Sequence, residues 1–305
     1  SITYKWQADG VDIPGSNSPS YNPPSGLTAT TVYTRWAKDG TCNSFEESTG
    51  NWTVTVYDDF TAGAIQTTGE TICYNGDPME IGNSTAATGG DEAIEYKWQA
   101  DGTDIPGSNS PSYNPPSGLT ATTVYTRWAK DGTCNSFEES TGNWTVTVYD
   151  DFTAGAIQTT GETICYNGDP MEIGNSTAAT GGDEAIEYKW QADGTDIPGS
   201  NSSTYNPPSG LTATTIYTRW AKDGTCNSFE ESTGSWTVTV YDDFTAGAIQ
   251  TTGETICYNG DPAEIGNSSA ATGGDGSITY KWQADGVDIP GSNSPSYNPP
   301  SGLTA

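Results

Sequence analysis

The chain reads as an all-β protein, a series of immunoglobulin-like (Greek-key) β-sandwich modules of 92 residues in an extended array. Three observations predict this. The stretch Tyr-Lys-Trp-Gln-Ala-Asp-Gly begins at Tyr4, Tyr96, Tyr188 and Tyr280, each time 92 residues further on. Apolar and polar residues alternate over short runs, the signature of half-buried strands. Strong turn formers separate these runs, and no segment carries a helical period.

The period sets the domains. Cys42, Cys134 and Cys226 are in register, as are Cys73, Cys165 and Cys257, and Trp52, Trp144 and Trp236. Cut on this period, the chain holds an N-terminally truncated repeat (1–59), two complete ones (60–151 and 152–243) and a C-terminally truncated one (244–305). The complete copies differ at four places: Pro111/Ser203, Ser112/Thr204, Val124/Ile216 and Asn143/Ser235. Residues 277–305 repeat 1–29 identically, so the chain is expected to be a window onto something longer. Such near-identity reflects duplication and does not pick out functional residues.

Within a repeat, Ile94, Tyr96 and Trp98 share one face while Glu95, Lys97 and Gln99 share the other. Trp144, Val146 and Val148 repeat the logic. Ala156–Gln158, Thr163–Tyr166 and Thr122–Trp128 supply further strands. The breakers between them are Asn75-Gly76-Asp77-Pro78, Gly89-Gly90, Asp101-Gly102, Asn114-Pro115-Pro116 and Asp131-Gly132. Six or seven short strands with such turns point to a Greek-key sandwich, in which a buried Trp is a hallmark of the core. Trp98, Trp144, Trp190 and Trp236 are the expected core residues.

Composition restricts function. The formal charge is -29 at pH 7, and nucleic acid is an improbable partner because phosphate binding needs a basic footprint. Aromatics at 11% separate the chain from acidic disordered sequences. With no His, a solvent-facing Lys97, and the pairs Glu138-Glu139 and Asp150-Asp151 adjacent in sequence rather than convergent, catalysis finds no support.

Two Cys per repeat without a Cys-x-x-Cys pair argue against zinc and suit an exported protein. Two pairings are open. One is within a module, Cys73–Cys134 and Cys165–Cys226, with Cys42 and Cys257 paired outside the window. The other crosses the junction, as Cys42–Cys73, Cys134–Cys165 and Cys226–Cys257. The first is favoured: it closes a loop of about sixty residues and would contribute about 4 kcal/mol in the chain-entropy model.

The junction is expected at Tyr149-Asp150-Asp151-Phe152 and again at Tyr241-Asp242-Asp243-Phe244, with the aromatics packing on the module ends. No cofactor is expected other than calcium: Asp150 and Asp151, joined by loop oxygens of Asp77, Asp91 or Asp183, are candidate ligands, against the simpler reading of a solvated acidic surface. Asp101-Gly102-Thr103-Asp104 lacks the ligand density of a calcium loop. The Asn-x-Ser/Thr matches at Asn51, Asn83, Asn143, Asn175, Asn201 and Asn267 are easily obtained in Ser/Thr-rich sequence.

The succession of Ile-Cys, Tyr-x-Trp, Tyr-Asn-Pro, Thr-x-Tyr-x-Arg, the second Cys and a final Thr-Val-Thr-Val resembles SprB-type repeats, the Ig-like modules of Bacteroidota gliding-motility and cell-surface adhesins. It covers every module. The resemblance implies export through the type IX pathway and display as filaments at the cell surface. The expected function is therefore a non-catalytic stalk of a secreted adhesin. Its expected partners are neighbouring repeats, other copies in a fibre bundle, and a surface polysaccharide or host glycan. The alternative is a carbohydrate-binding array, which would need Trp128 or Tyr113 side by side on an exposed face.

Overall fold

The computed structural model describes residues 1–41, 44–134 and 136–304, and they form strands and turns with no helix. Two compact units divide between Tyr149 and Asp150. In the first unit, residues 58–149 make one complete module. Its strands are β1 (Asp58–Thr61), β2 (Ala64–Ile65), β3 (Glu70–Ile72), β4 (Asn83–Thr85), β5 (Thr88–Gly90), β6 (Glu95–Ala100), β7 (Thr103–Asp104), β8 (Thr123–Lys130), β9 (Glu138–Glu139) and β10 (Trp144–Val148). Residues 150–241, in the second unit, repeat the set from Asp150–Thr153 to Trp236–Val240.

One layer is a six-stranded sheet ordered β7-β6-β8-β10-β3, with β9 also pairing β8. The antiparallel ladder of β6 and β8 runs from Glu95↔Lys130 to Ala100↔Tyr125. Asp101 and Gly102 both have positive φ, the backbone a two-residue hairpin needs to match strand twist, and Asp-Gly supplies it. The last strand, β10, pairs antiparallel with β8 (Thr123↔Val146) and parallel with β3 (Val148↔Ile72). The other layer is built from the pairs β1–β5 and β2–β4 and a bridge between Ile81 and Tyr113.

The core lies between these layers. Ile65 and Ile81 pack on Trp98, Tyr125, Trp144 and Val146. Trp98 is fully buried, its indole N–H donating to the Ser110 carbonyl (2.9 Å), and Tyr113 stacks on it with ring centroids 5.6 Å apart. Burying the polar end of a Trp requires such a partner. The copy in 150–241 places Trp190 and Trp236 in the same way. A second cluster, Phe60, Ala62, Ala87 and Ala129, closes the end of the module at which the chain enters.

Arg127 occupies an inward position of β8 and is fully buried. Its Nε donates to Ser140 Oγ (2.9 Å), Nη1 to the Pro111 carbonyl (2.9 Å) and to Asn83 Oδ1, and Nη2 to the Ala62 carbonyl (3.1 Å). A guanidinium without a carboxylate partner is tolerated there because its fork is met by fixed oxygens. The Tyr96 ring lies 5.1 Å away.

Asp150–Thr153 is already the first strand of its module, paired to Thr180–Gly182, so the seam falls two residues before Phe152. Phe152 is buried with Ala154, Ala179 and Ala221 inside that module. It is a core residue of that module.

Candidate functional site: the two ends of the module

The chain enters a module at β1 and leaves it at β10, and the register puts these points at opposite ends. β10 and β3 run in parallel toward the trailing end, where Ile72 faces Val148 and the Tyr149 N–H donates to the Ile72 carbonyl (3.0 Å). β8 runs the other way, from Thr123 beside Val146 to Lys130 at the leading end.

At the trailing end, Cys73 opens a tight turn. Its carbonyl accepts from the Gly76 N–H (2.9 Å), Asn75 has φ 61°, and the Asn75 N–H donates to the Leu119 carbonyl (2.8 Å). Asn tolerates this left-handed backbone better than most residues. The Glu70 carboxylate holds the next segment, accepting from the Met79 N–H (3.0 Å) and the Trp144 indole (3.3 Å).

At the leading end, two aspartates shape the loop that carries the other cysteine. In the second complete module the buried Asp223 accepts through Oδ1 from the N–H groups of Cys226 (2.8 Å) and Asn227 (2.7 Å). Asp183 accepts from the N–H groups of Ala185 (2.9 Å) and Gly224 (3.0 Å) and from the Thr225 hydroxyl. These bonds, the Thr225 hydroxyl foremost and the Ala185 N–H next, hold the Asp183 carboxyl below its usual value of 3.8. Gly182, with φ 64°, lies directly against the Asp223 side chain, where a Cβ would collide. In the first module Asp91, Asp131 and Gly90 make the corresponding arrangement with Thr133 and Cys134.

The structure corrects the expected cysteine pairing. Cys134, Cys165 and Cys257 are free thiols, whereas Cys73 and Cys226 are disulfide-bonded. Neither Cys73–Cys134 nor Cys165–Cys226 is formed, nor is Cys134–Cys165 or Cys226–Cys257. Cys42 lies outside the described residues. The reason is geometric. The seven residue steps of β8 alone separate Cys134 from the end that carries Cys73 by about 23 Å, and a disulfide tolerates no more than about 7 Å between Cα atoms.

The remaining candidates are placed as follows. Tyr149 is half-buried, Asp150 and Asp151 are exposed neighbours on one strand, and Tyr241, Asp242, Asp243 and Phe244 are exposed. Among the described residues no three His, Cys, Asp or Glu side chains gather as a metal site. Asp91 and Asp183, expected as calcium partners of Asp150 and Asp151, are instead engaged by their own loops; Asp77 is exposed. Tyr113 is held between Trp98 and Tyr125, with centroids 5.6 and 5.7 Å away. Trp128 is half-buried, with the Lys97 ammonium 5.4 Å over its ring and its indole N–H donating to Gln99 (3.1 Å). The two aromatics therefore do not form an exposed pair.

Sequence reasoning missed two roles. Arg127 was visible only as part of a motif, although its inward phase with Tyr125 and Ala129 marks it as buried. The clamping aspartates carry no local signal, because Asp183 and Gly224 are 41 residues apart.

Residues 61–150 and 153–242 each match the family described as Domain of unknown function (DUF8696). The chain belongs to this family. The DUF8696 repeats adopt a tandem immunoglobulin-like fold. Three solved structures illustrate what the chain is similar to. Titin domains I67–I69, as an E-to-A variant, share 12% identity over 78% of this chain and 88% of that one (TM-score 0.46). Sidekick-1 immunoglobulin domains 1–4 share 14% over 98% and 83% (0.29). The three N-terminal domains of the bacteriophage RB49 Highly Immunogenic Outer Capsid protein share 12% over 79% and 88% (0.33). No curated protein matches the chain.

Proposed function

We propose that the chain is a stalk or filament region of a large secreted cell-surface adhesin, of the SprB-type kind that serves attachment or gliding. One observation carries the reading: each module passes the chain from its leading to its trailing end, and no residue is left over as linker. Val148 ends β10, Tyr149 still donates to Ile72, and Asp150 already pairs with Gly182 of the next module. In repeat arrays each unit interacts chiefly with its sequence neighbours. The charge of -29 keeps parallel stalks soluble and apart. Disulfide-bonded cysteines support an oxidising, extracellular setting. The carbohydrate-binding alternative has less support, since Tyr113 and Trp128 present no paired surface. The test is labelling of intact source cells with an antibody raised against a complete module. Labelling before lysis is expected; a signal that appears only after lysis overturns the surface assignment.

A further inference from the structure

We propose that each complete module carries a mechanical lock. A buried node of Ala62, Arg127 and Ser140 fastens the segment by which the chain enters to the segment by which it leaves, and tension along the chain must break it before the module unravels. Everything the lock needs lies within one module. Residues 62–72 and 140–149 run side by side in the same direction. The Thr141 N–H donates to the Gly63 carbonyl (2.9 Å) and the Ile65 N–H to the Thr141 carbonyl (3.0 Å). β3 and β10 continue this border in parallel, and the Tyr149 N–H closes it on the Ile72 carbonyl (3.0 Å).

Direction decides how such a border bears tension. Because the chain enters at the leading end and leaves at the trailing end, pulling draws 62–72 one way and 140–149 the other along their common axis. The bonds between them are strained together instead of being peeled one after another. The node is the part of the border that water cannot relieve. The Ala62 carbonyl accepts from the Ser140 hydroxyl (2.7 Å) and from Arg127 Nη2 (3.1 Å), and Arg127 Nε donates to Ser140 Oγ (2.9 Å). All three residues are buried. A hydrogen bond that opens at the surface exchanges its partner for water, whereas one that opens here leaves buried polar atoms unmet.

The second complete module has the same node. Ser232 Oγ donates to the Ala154 carbonyl (2.7 Å), Arg219 Nη2 to the same carbonyl (3.0 Å) and Arg219 Nε to Ser232 Oγ (2.9 Å). A buried cation is an expensive way to gain equilibrium stability. Holding a carbonyl against sliding is a task that an apolar side chain in its place could not perform. The use of the lock, carrying tension along a stalk, rests on the function proposed above; its geometry does not.

Pulling the full chain by its ends at constant force tests the lock. The unfolding rate of the complete modules is compared between the parent, Ser140→Ala with Ser232→Ala, and Ile81→Ala with Ile173→Ala. Ile81 and Ile173 are fully buried in the core but lie outside the border. The serine pair should unfold at least about fivefold faster under load, the rate equivalent of one lost hydrogen bond. The isoleucine pair should lose at least as much stability in denaturant, yet its rate under load should change by less than about twofold. Arg127→Lys with Arg219→Lys keeps the charge and the serine hydroxyls, and is read by the same criterion should the serine pair not fold. A serine pair as slow as the parent, or an isoleucine pair accelerated as much as the serine pair, would overturn the lock. Antibody labelling decides the stalk separately: a faster serine pair in a protein labelled only after lysis leaves the lock standing and removes the use proposed for it.

Discussion

Arg127 donates through Nη2 to the carbonyl of Ala62, sixty-five residues earlier in the chain, and so ties the middle of one layer to the turn between β1 and β2. Replacing it with Met removes its bonds to Ser140, Ala62, Pro111 and Asn83, although the Ala62 carbonyl keeps the Ser140 hydroxyl (2.7 Å) and Pro111 and Asn83 are exposed residues. Hydrogen bonds to a charged group contribute about 1.5–3 kcal/mol net, so Arg127→Met should destabilise its module by roughly 2–4 kcal/mol in denaturant unfolding. Arg127→Lys should rescue little, because a single ammonium cannot meet oxygens set out for a planar fork.

Trp98 is the largest fully buried side chain of its module, with its counterpart Trp190 in the next. Trp98→Ala should cost about 3–5 kcal/mol and also frees the Ser110 carbonyl. Unfolding should become biphasic, with only the mutated module shifted. A readily quenched Trp98 fluorescence in the native protein would contradict its burial.

Gly182 has φ 64° and abuts the Asp223 side chain. Gly182→Ala meets both backbone strain and collision, and should cost roughly 2–4 kcal/mol. Gly194, also at positive φ but with open space around it, is the control: Gly194→Ala should cost less, since only the strain remains.

Acid should loosen the loop that bears each leading cysteine. The Asp91 carboxyl is held below its usual 3.8, by the Thr133 hydroxyl first and then the Ala93 N–H, and Asp183 likewise. A lowered folded-state value means that the stabilisation is fully present above 3.8 and is lost as pH falls through the folded value, below 3.8. Melting temperature followed from about pH 5 to about pH 2 should fall less steeply in the Asp91→Asn, Asp183→Asn double variant than in the parent. Equal slopes would contradict the role of these two groups.

How much of this was legible in the sequence differs between elements. β6, β8 and β10 are long enough for alternation to show, and Trp98 and Val146 fall on the inward phase. The other layer was largely missed. Asn-Ser-Thr of β4 and Thr-Gly-Gly of β5 are short and polar, and their pairing is fixed by residues more than fifteen positions away. Gly89-Gly90 read as a breaker, yet both glycines belong to a strand, with positive φ and a register shift between Thr88 and Gly90. The cysteine pairing was misread for a related reason: spacing along the chain says nothing of which end of the sandwich a residue reaches, and only the parallel pairing of β3 with β10 sends Cys73 to the trailing end.

The radius of gyration of the full chain in solution tests the stalk most directly. A single compact body of 305 residues would have a value of about 19 Å. If the proposed stalk holds, with modules each at least as long as the eight-residue β8 at about 27 Å, small-angle scattering should give a value clearly above the compact one. A value near that of the compact body would contradict the account.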